Sequence, residues 1–262
     1  MDKPLVSVVV PTFNSERFLE RCLRSIKEQI YPNIEVVMVD SYSVDRTRKI
    51  AKSWGIRVVL CKAGRSRARN VGAVNTKGEF VLFVDSDMEL TPNVVGECIA
   101  KAESGVEAII IPELSIGEGY WAQCRALEKL CYIGDDLIEA TRFLKRDVFE
   151  AVEGYDVDLL FGEDWDLNAR IKENGCKIGR IRAFIKHHEG RLSLREDILK
   201  KHFYGKTLRS YFAKHQEEAN YQLSLIRPAF VKNWKKLAKD PSHTLGMVFM
   251  KTCEFIATYV SL

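Results

Sequence analysis

Short apolar runs alternate with amphipathic stretches through the first half of the chain. The apolar runs predict strands at residues 5–10, 34–39, 56–60, 79–84 and 107–112. Helical spacing predicts a first helix capped by Ser15, a polar helix at about 45–54 capped by Asp45, and another at about 92–104. Strands and helices that alternate in this way predict an α/β fold with a mostly parallel sheet and helices on both faces.

Polar motifs follow three of these predicted strands. They are Pro11-Thr12-Phe13-Asn14 after the first strand, Asp40 after the second, and Asp85-Ser86-Asp87 after the fourth. In sheets of this kind, ligands bind at the carboxyl ends of the strands. The sequence therefore predicts a ligand site at this edge of the sheet.

Asp85 and Asp87 directly follow a continuous apolar run. If the strand stays extended, both side chains point the same way. Two like charges side by side raise each other's pKa and destabilise the site unless a cation lies between them. Mg²⁺ and Mn²⁺ prefer oxygen ligands, usually one or two carboxylates together with phosphate. The motif therefore favours a divalent cation, and the alternative is an exposed acidic turn.

The second half of the chain is less regular at first. We expect an irregular insertion at residues 113–136, then a strand and a short helix within residues 138–152. A further helix is predicted at residues 162–175, where Gly175 stops it. Cys124 and Cys131, seven residues apart, are expected to share one buried helical face.

The C-terminal third is basic and helical. Residues 177–239 contain 16 Lys and Arg against 5 Asp and Glu, a local balance of +11, and because the whole chain carries +4, the remainder carries −7. We place a domain boundary near Arg191, between a ligand-binding domain at 1–190 and a basic helical extension at 191–262. Basicity alone is an unspecific signal, and no RNA- or DNA-binding motif accompanies it, so a nucleic-acid partner is not favoured.

Cysteine usage and the first residues bear on the compartment. The seven cysteines are odd in number and show no CxxC spacing, which fits a reducing environment. The N-terminal apolar run is too short and wrongly flanked for a signal peptide. The expected location is cytoplasmic.

Five motifs occur in order along the chain. They are "VSVVVPTFN", "VVMVDSYSVDRT", "ARNVGA" with "TKGEFVLFVDSD", "EGYDVDLLFGEDWDLNARIKENG" and "HHEG". Together they resemble an inverting family 2 glycosyltransferase of GT-A fold, over roughly residues 5–190. The resemblance implies a catalytic domain that binds a nucleotide-sugar donor. It also implies Mn²⁺ or Mg²⁺ as cofactor, because a divalent ion stabilises the charge of the leaving diphosphate.

The resemblance also implies roles for single residues. Asp87 would be the direct metal ligand, Asp85 would lie nearer the ribose or the metal's water shell, and Arg69 would contact phosphate. Neighbours on a strand face opposite sides, so at most one of His187 and His188 reaches the metal. The family's "His-x-Glu-Gly" pattern favours His187, and a histidine without this role is the alternative.

Asp164 is implied as the general base, which takes the proton from the acceptor hydroxyl. The alternative is that Glu163 and Asp164 only stabilise the first turn of a helix, where the dipole favours anions. If the acceptor is a lipid phosphate, which is already ionised, Asp164 would orient it instead. Asp166 is expected to be structural.

The donor base is read from the loops after the first two strands. In the family Asp40 lies beside the nucleoside pocket, and a second acidic residue often follows it. Here Ser41 follows, and Tyr42 stands where glycine is common, so a UDP-sugar and a GDP-sugar both stay open as donors. Asp40 could instead only start a turn. Phe13 either stacks on the base or belongs to the core.

The Gln-x-x-Arg-Trp motif of processive synthases is absent after the histidine pair, so we expect one sugar per encounter. One alternative is a nucleotide-sugar-binding protein without catalysis, which the joint presence of Asp87 and Asp164 argues against. The other is a basic nucleic-acid-binding protein.

Residues 244–262 predict an amphipathic helix. The nineteen residues are nearly enough to span a bilayer, but Lys251 and Glu254 in the middle disfavour a spanning helix. A polar stripe, opposite a broad apolar face, consists of Thr244, Lys251, Glu254, Thr258 and Ser261. With the basic and aromatic residues upstream, this favours peripheral attachment to the cytoplasmic leaflet and a lipid-linked acceptor such as a polyprenyl carrier. The alternative is that these helices pack on the catalytic domain or on a second subunit in a homodimer.

Overall fold

The structure is a computed structural model that describes residues 3–62 and 64–260. Its strands are β1 (Val6–Thr12), β2 (Ile34–Asp40), β3 (Arg57–Leu60), β4 (Phe80–Phe83), β5 (Met88–Leu90), β6 (Ala108–Ile110), β7 (Glu113–Glu118), β8 (Thr141–Lys145), β9 (Ile178–Arg180) and β10 (Ile185–Arg191). Its helices are α1 (Leu19–Lys27), α2 (Thr47–Ser53), α3 (Arg65–Val74), α4 (Val94–Glu103), α5 (Tyr120–Tyr132), α6 (Arg146–Ala151), α7 (Glu163–Glu173), α8 (Leu194–Gly205), α9 (Leu208–Lys214), α10 (Gln216–Gln222), α11 (Pro228–Lys232), α12 (Trp234–Lys239) and α13 (Pro241–Tyr259).

The central sheet has the strand order β3-β2-β1-β4-β8-β6-β9. β1 is parallel to β2 and β4, and β2 is parallel to β3. β8 runs antiparallel to both β4 and β6, and β9 is parallel to β6. The predicted mostly parallel α/β sheet is confirmed, and the carboxyl ends of β1, β2 and β4 lie at one edge.

Helices cover both faces of this sheet. Val8 and Val10 of β1 belong to an apolar cluster with residues of α1 and α4, whereas Val9 belongs to a cluster with residues of α3 and α7. Successive strand residues point to opposite faces. Because both faces are buried, β1 is mostly apolar, apart from Ser7 and Thr12, and does not alternate between apolar and polar residues.

A second, smaller sheet corrects one expectation. Residues 113–136 are not an irregular insertion, since β7 and α5 occupy most of them. β7 pairs in parallel with β10, which pairs on its other side with β5, and α5 packs on β7. The partner strand lies about 70 residues further along the chain, so local sequence pattern could not reveal the pairing.

The starts of the first two helices differ in how well they were predicted. Ser15 is not the cap of α1, which begins at Leu19 after Phe18. The Ser15 carbonyl oxygen accepts from the Leu19 amide, while its hydroxyl accepts from the Ser86 hydroxyl at 2.8 Å. Asp45 accepts from the amide of Thr47, the first residue of α2, at 2.9 Å, but Arg46 and not Asp45 directly precedes the helix, so the predicted cap residue is displaced by one position.

Helices α8 to α13 form the C-terminal region, in which α13 packs on α5 and α8. Cys124 and Cys131 share the buried face of α5, as predicted, and cluster there with Met247 and Met250 of α13. Glu254, from the predicted polar stripe, is 3% exposed, and Ser261 of that stripe lies outside the described residues. Within residues 3–62 and 64–260, none of the helices has the length and apolarity needed to cross a membrane.

Candidate active site

A buried arginine joins two of the predicted site carboxylates. Arg69 of α3 has no exposed surface, and its Nη2 donates to both oxygens of Asp85, at 2.8 and 2.9 Å. Its Nη1 donates to Oδ1 of Asp164 at 3.0 Å, and its guanidinium carbon lies 4.9 Å from the ring centroid of Tyr155. Arg69 was predicted as a phosphate contact, and here protein carboxylates and an aromatic ring enclose it.

Two arginines keep Asp85 ionised. Burial alone would raise the pKa of Asp85, but the guanidinium groups of Arg69 and Arg142 outweigh it and hold the pKa well below its ordinary value. Arg142 of β8 lies 3.5 Å from Asp85 and also pairs with Glu113 of β7. The charge that follows the buried strand is therefore balanced within the protein itself.

The chain turns at the Asp85-Ser86-Asp87 motif. β4 ends two residues before the motif, and the amide of Met88 donates to the carbonyl oxygen of Asp85 at 2.9 Å. The strand therefore does not stay extended, which was the condition for both carboxylates to point the same way. They have different partners, since Asp85 binds Arg69 and Asp87 lies against His187.

Asp87 and His187 form the part of the site that fits a divalent cation. Nε2 of His187 lies 3.3 Å from Oδ2 of Asp87, and its Nδ1 lies 3.5 Å from Glu113. Oδ1 of Asp87 is buried and has no hydrogen-bond partner among the residues that the structure describes. Among these residues no group of three or more His, Cys, Asp or Glu could hold a metal alone. A cation here would therefore take its remaining ligands from a bound substrate or water.

The two neighbouring histidines face opposite sides, as predicted. His188 stacks on Phe18, with ring centroids 6.1 Å apart, and its Nε2 lies 2.8 Å from Glu89. This leaves His187 as the histidine beside Asp87.

Asp164 lies in the first turn of α7, just after a required glycine. Gly162 has a φ of 77°, and a Cβ there would lie 2.9 Å from the ring of Tyr211. Glu163 is buried and pairs with Arg65, whereas the Asp164 side chain is 24% exposed. Arg69 holds one oxygen of Asp164, and no protein donor within the described part of the chain binds the other.

Asp166 points into the structure and pairs with Arg170 and His215.

Asp85, Asp164 and His187 line one open cavity of about 340 Å³. Its walls also include Arg142, Glu113 and Lys129, which the sequence analysis did not identify. Each of them comes from a segment that was read as structural or irregular. No motif spacing marks them, because their positions depend on the pairing of β7 with β10 and of β8 with β4.

The loops after β1 and β2 are tied together at the same edge of the sheet. Asp40 has no exposed surface, and it accepts from the Thr12 hydroxyl at 3.0 Å and from the amide of Ser43 at 2.9 Å. The hydroxyl of Ser43 in turn accepts from the amide of Asn14 at 2.9 Å. Asp40 and Thr12 therefore hold the two loops in register beneath the site.

Two aromatic residues stand out on these loops. Phe13 follows buried Pro11 and Thr12 and is 64% exposed, which excludes the core alternative and leaves its ring open to stacking. Tyr42 is about half exposed and has a φ of 61°, in the left-handed region where a bulky residue is strained. A glycine would adopt this conformation without strain.

Comparison with known proteins gives both family and fold. The model of Glycosyl transferase family 2 matches residues 7–149, more than half of the chain. The chain is 31% identical over 149 residues to the uncharacterized glycosyltransferase EpsJ of Bacillus subtilis, covering 55% of this chain and 41% of that protein. It is 33% identical over 110 residues to the GalNAc(5)-diNAcBac-PP-undecaprenol beta-1,3-glucosyltransferase of Campylobacter jejuni, covering 39% and 36%. The matched region is thus less than half the length of these relatives.

Two solved structures resemble nearly the whole chain. The mannosyltransferase PcManGT of Pyrobaculum calidifontis, in complex with GDP-Man and Mn²⁺, has a TM-score of 0.69 and 20% identity, covering 99% of this chain and 87% of that one. S. aureus TarS 1–349 in complex with UDP-GlcNAc has a TM-score of 0.60 and 18% identity, covering 98% and 90%. The likeness shows the GT-A fold, as the sequence predicts.

Proposed function

Because the chain belongs to glycosyl transferase family 2, we propose that it is an inverting, metal-dependent transferase that moves one sugar from a nucleotide-sugar donor to an acceptor. The observation that carries the proposal is that Arg69 binds both Asp85 and Asp164, and that these two carboxylates line one cavity. His187, which lies against Asp87, lines the same cavity. The carboxylates have separate surroundings, so they can have separate tasks.

Asp164 is the proposed general base. Its second oxygen has no protein donor among the described residues, so it can accept the proton of an acceptor hydroxyl. The hydroxyl oxygen of the acceptor then attacks the anomeric carbon of the donor sugar. Arg69 fixes the first oxygen and so orients the carboxylate. Asp85, held ionised by two arginines, is the proposed contact to the ribose side of the donor.

Asp87 and His187 are the proposed metal ligands. A Mn²⁺ or Mg²⁺ ion at these residues would stabilise the charge that develops on the leaving nucleoside diphosphate. The buried, unpartnered oxygen of Asp87 supports this role. The structural relative from Pyrobaculum calidifontis is in complex with GDP-Man and Mn²⁺.

The donor base is proposed to be uracil or guanine, stacked on Phe13. The two structural relatives bind UDP-GlcNAc and GDP-Man, respectively. Asp40 makes its bonds within the protein, so we propose that it shapes the nucleoside pocket by holding the loop of Asn14 and Ser43.

The acceptor is proposed to be lipid-linked, and the protein is proposed to bind it at a membrane surface. One relative is named for an undecaprenol-PP acceptor. α13 turns Glu254 inward and leaves outward an apolar face whose residues are each 47–74% exposed: Leu245, Val248, Phe249, Ile256, Tyr259 and Val260. In the sequence α13 follows a basic segment, residues 177–239, of net charge +11, and an apolar face together with basic residues is suited to anionic lipid.

A thermal-shift panel tests the donor and the metal together. UDP, GDP and their sugars are added to the full chain with Mn²⁺, with Mg²⁺ or with EDTA. A ligand at about 100 times its Kd stabilises the folded state by about 2.7 kcal/mol, so the correct nucleotide raises Tm in the presence of metal. If no nucleoside diphosphate or nucleotide sugar raises Tm under any of these conditions, the proposed function is wrong.

A further inference from the structure

A second cavity, of about 250 Å³, opens beside the catalytic cavity, against α5, α8 and α13. The two cavities share part of their walls. The shared residues are Lys129, Tyr132, Ile138, Phe161, Trp165 and Lys201. Because Asp164 lines the catalytic cavity, a molecule that extends from the second cavity past these shared residues can reach the proposed base.

The wall of the second cavity is strongly cationic. Its charged residues are Arg125, Lys129, Lys201, Arg227 and Lys251 against Glu128 and Glu254. Both glutamates are already engaged: Arg125 pairs with each of them, and the ammonium group of Lys251 lies 2.9 Å from Glu128 and 3.1 Å from Glu254. The carboxylates of the wall therefore pair with Arg125 and Lys251, and Lys129 pairs with Glu189 outside the wall at 2.9 Å, which leaves Arg227 and Lys201 without an ion pair among the described residues.

Arg227 is buried and forms no ion pair among the described residues; it acts only at longer range on Glu128, whose carboxylate already pairs with Arg125 and Lys251. Arg227 is 7% exposed, and its Nε has no hydrogen-bond partner among the described residues. Its guanidinium lies over the ring of Tyr132, 4.9 Å from the centroid. Lys201 lies similarly over Phe161, at 5.9 Å, and burial lowers its pKa. The carboxylates that face these two cations, Glu128 and Glu254, are shared with Arg125 and Lys251, so the charge of Arg227 and Lys201 is only partly balanced. A buried cation whose charge is only partly balanced is unfavourable, and an anion that enters the cavity would offset that cost.

We propose that this second cavity binds a phosphate group of the acceptor, held by Arg227 and Lys201. A guanidinium fork and an ammonium group match phosphate oxygens in geometry and charge. The donor diphosphate would lie elsewhere, since neither Asp87 nor His187 lines this cavity. That the bound phosphate belongs to the acceptor rests on the proposed function, whereas the phosphate site itself does not.

The cavity also offers an exit for a hydrocarbon chain. Phe255 and Tyr259 of α13 line it, and Tyr259 also belongs to the exposed apolar face of that helix. A phosphate ester with an apolar tail can therefore place its phosphate at Arg227 and its tail along α13. A soluble phosphate ester would use the phosphate site alone.

Calorimetric titration of the full chain with decyl phosphate, in EDTA, tests the site without the metal-dependent donor site. Arg227→Gln is compared with Arg195→Gln, a matched change on exposed α8 surface. Because a hydrogen bond to a charged group contributes about 1.5–3 kcal/mol, Arg227→Gln should weaken binding by about 10–100-fold, while Arg195→Gln should leave it unchanged. Lys201→Gln is the second variant, which keeps the test available if Arg227→Gln loses its far-UV circular dichroism.

Titrations with inorganic phosphate and with decanol show whether the bound phosphate comes from a lipid or from a soluble ester, and whether the tail alone binds. Tighter binding of decyl phosphate than of inorganic phosphate supports a lipid phosphate, and equal binding supports a soluble phosphate ester. The inference is overturned if decyl phosphate does not bind, if the Arg227 and Lys201 variants bind as tightly as the parent, or if decanol binds as tightly as decyl phosphate. Nucleotide binding is measured on the same proteins, so a chain that binds phosphate through Arg227 but binds no nucleotide contradicts the proposed function alone.

Discussion

Replacing Arg69 with methionine tests the bridge that organises the active site. The side chain is completely buried and makes three short bonds, of 2.8, 2.9 and 3.0 Å, to Asp85 and Asp164. Arg69→Met leaves these carboxylates without their shared counter-charge, and Arg142 remains near only one of them. Breaking a buried pair by removing one partner costs about 3–5 kcal/mol.

In a chain of this size 1 kcal/mol shifts Tm by about 2–4 °C, so Arg69→Met should lower Tm by about 6–20 °C. The matched control is Arg67→Met on the same helix, where the side chain is exposed and the change should stay within about 0.5 kcal/mol. Thermal unfolding followed by circular dichroism measures both variants. Equal Tm values for the two would refute the claim that Arg69 stabilises the carboxylate pair.

Two further predictions address the metal and the membrane. Asp87→Asn should abolish the part of the nucleotide-induced rise in Tm that depends on Mn²⁺, because it removes the charge of a proposed ligand. Asp158→Asn, which changes an exposed carboxylate, should keep that Mn²⁺-dependent rise. An unchanged Mn²⁺ dependence in Asp87→Asn would exclude the metal role. Phe249→Ser with Ile256→Ser should reduce flotation with anionic liposomes at low salt, while Ile30→Ser, at an apolar residue that is even more exposed, should not. Failure of the parent protein to float would contradict membrane attachment, and a concentration-dependent dimer lost in the α13 variant would assign that face to a second subunit.

The sequence predicted the edge of the sheet where the site lies because β1, β2 and β4 are apolar along most of their length, apart from Ser7 and Glu35 near the starts of β1 and β2. The carboxyl-terminal halves of these strands are buried, so the polar residues of the site lie at or directly after their ends. Asp40 and Asp85 could therefore be placed from the chain alone. The turn that separates Asp85 from Asp87 could not, because it depends on the pairing of β5 with β10.

The parts that escaped prediction depend on contacts between distant segments. Arg142 and Glu113 reach the site through two strand pairings that no local motif encodes. On α13, a helical wheel shows a polar stripe but does not show whether this stripe faces the protein interior or the solvent. Arg125 lies 129 residues before Glu254 and draws that glutamate inward, so the apolar residues on the opposite side face outward.

The most direct test of the central claim is the turnover of Asp164→Asn. Asparagine has the same shape and can still accept the Arg69 hydrogen bond, but it cannot take a proton at neutral pH. Release of the nucleoside diphosphate from the donor sugar found in the thermal-shift panel should fall by about 10²–10⁴-fold, the range for loss of a general base. Donor affinity, measured by calorimetry, should be unchanged. Turnover at the parent rate, or loss of donor binding instead of turnover, would contradict the assignment of Asp164 as the catalytic base.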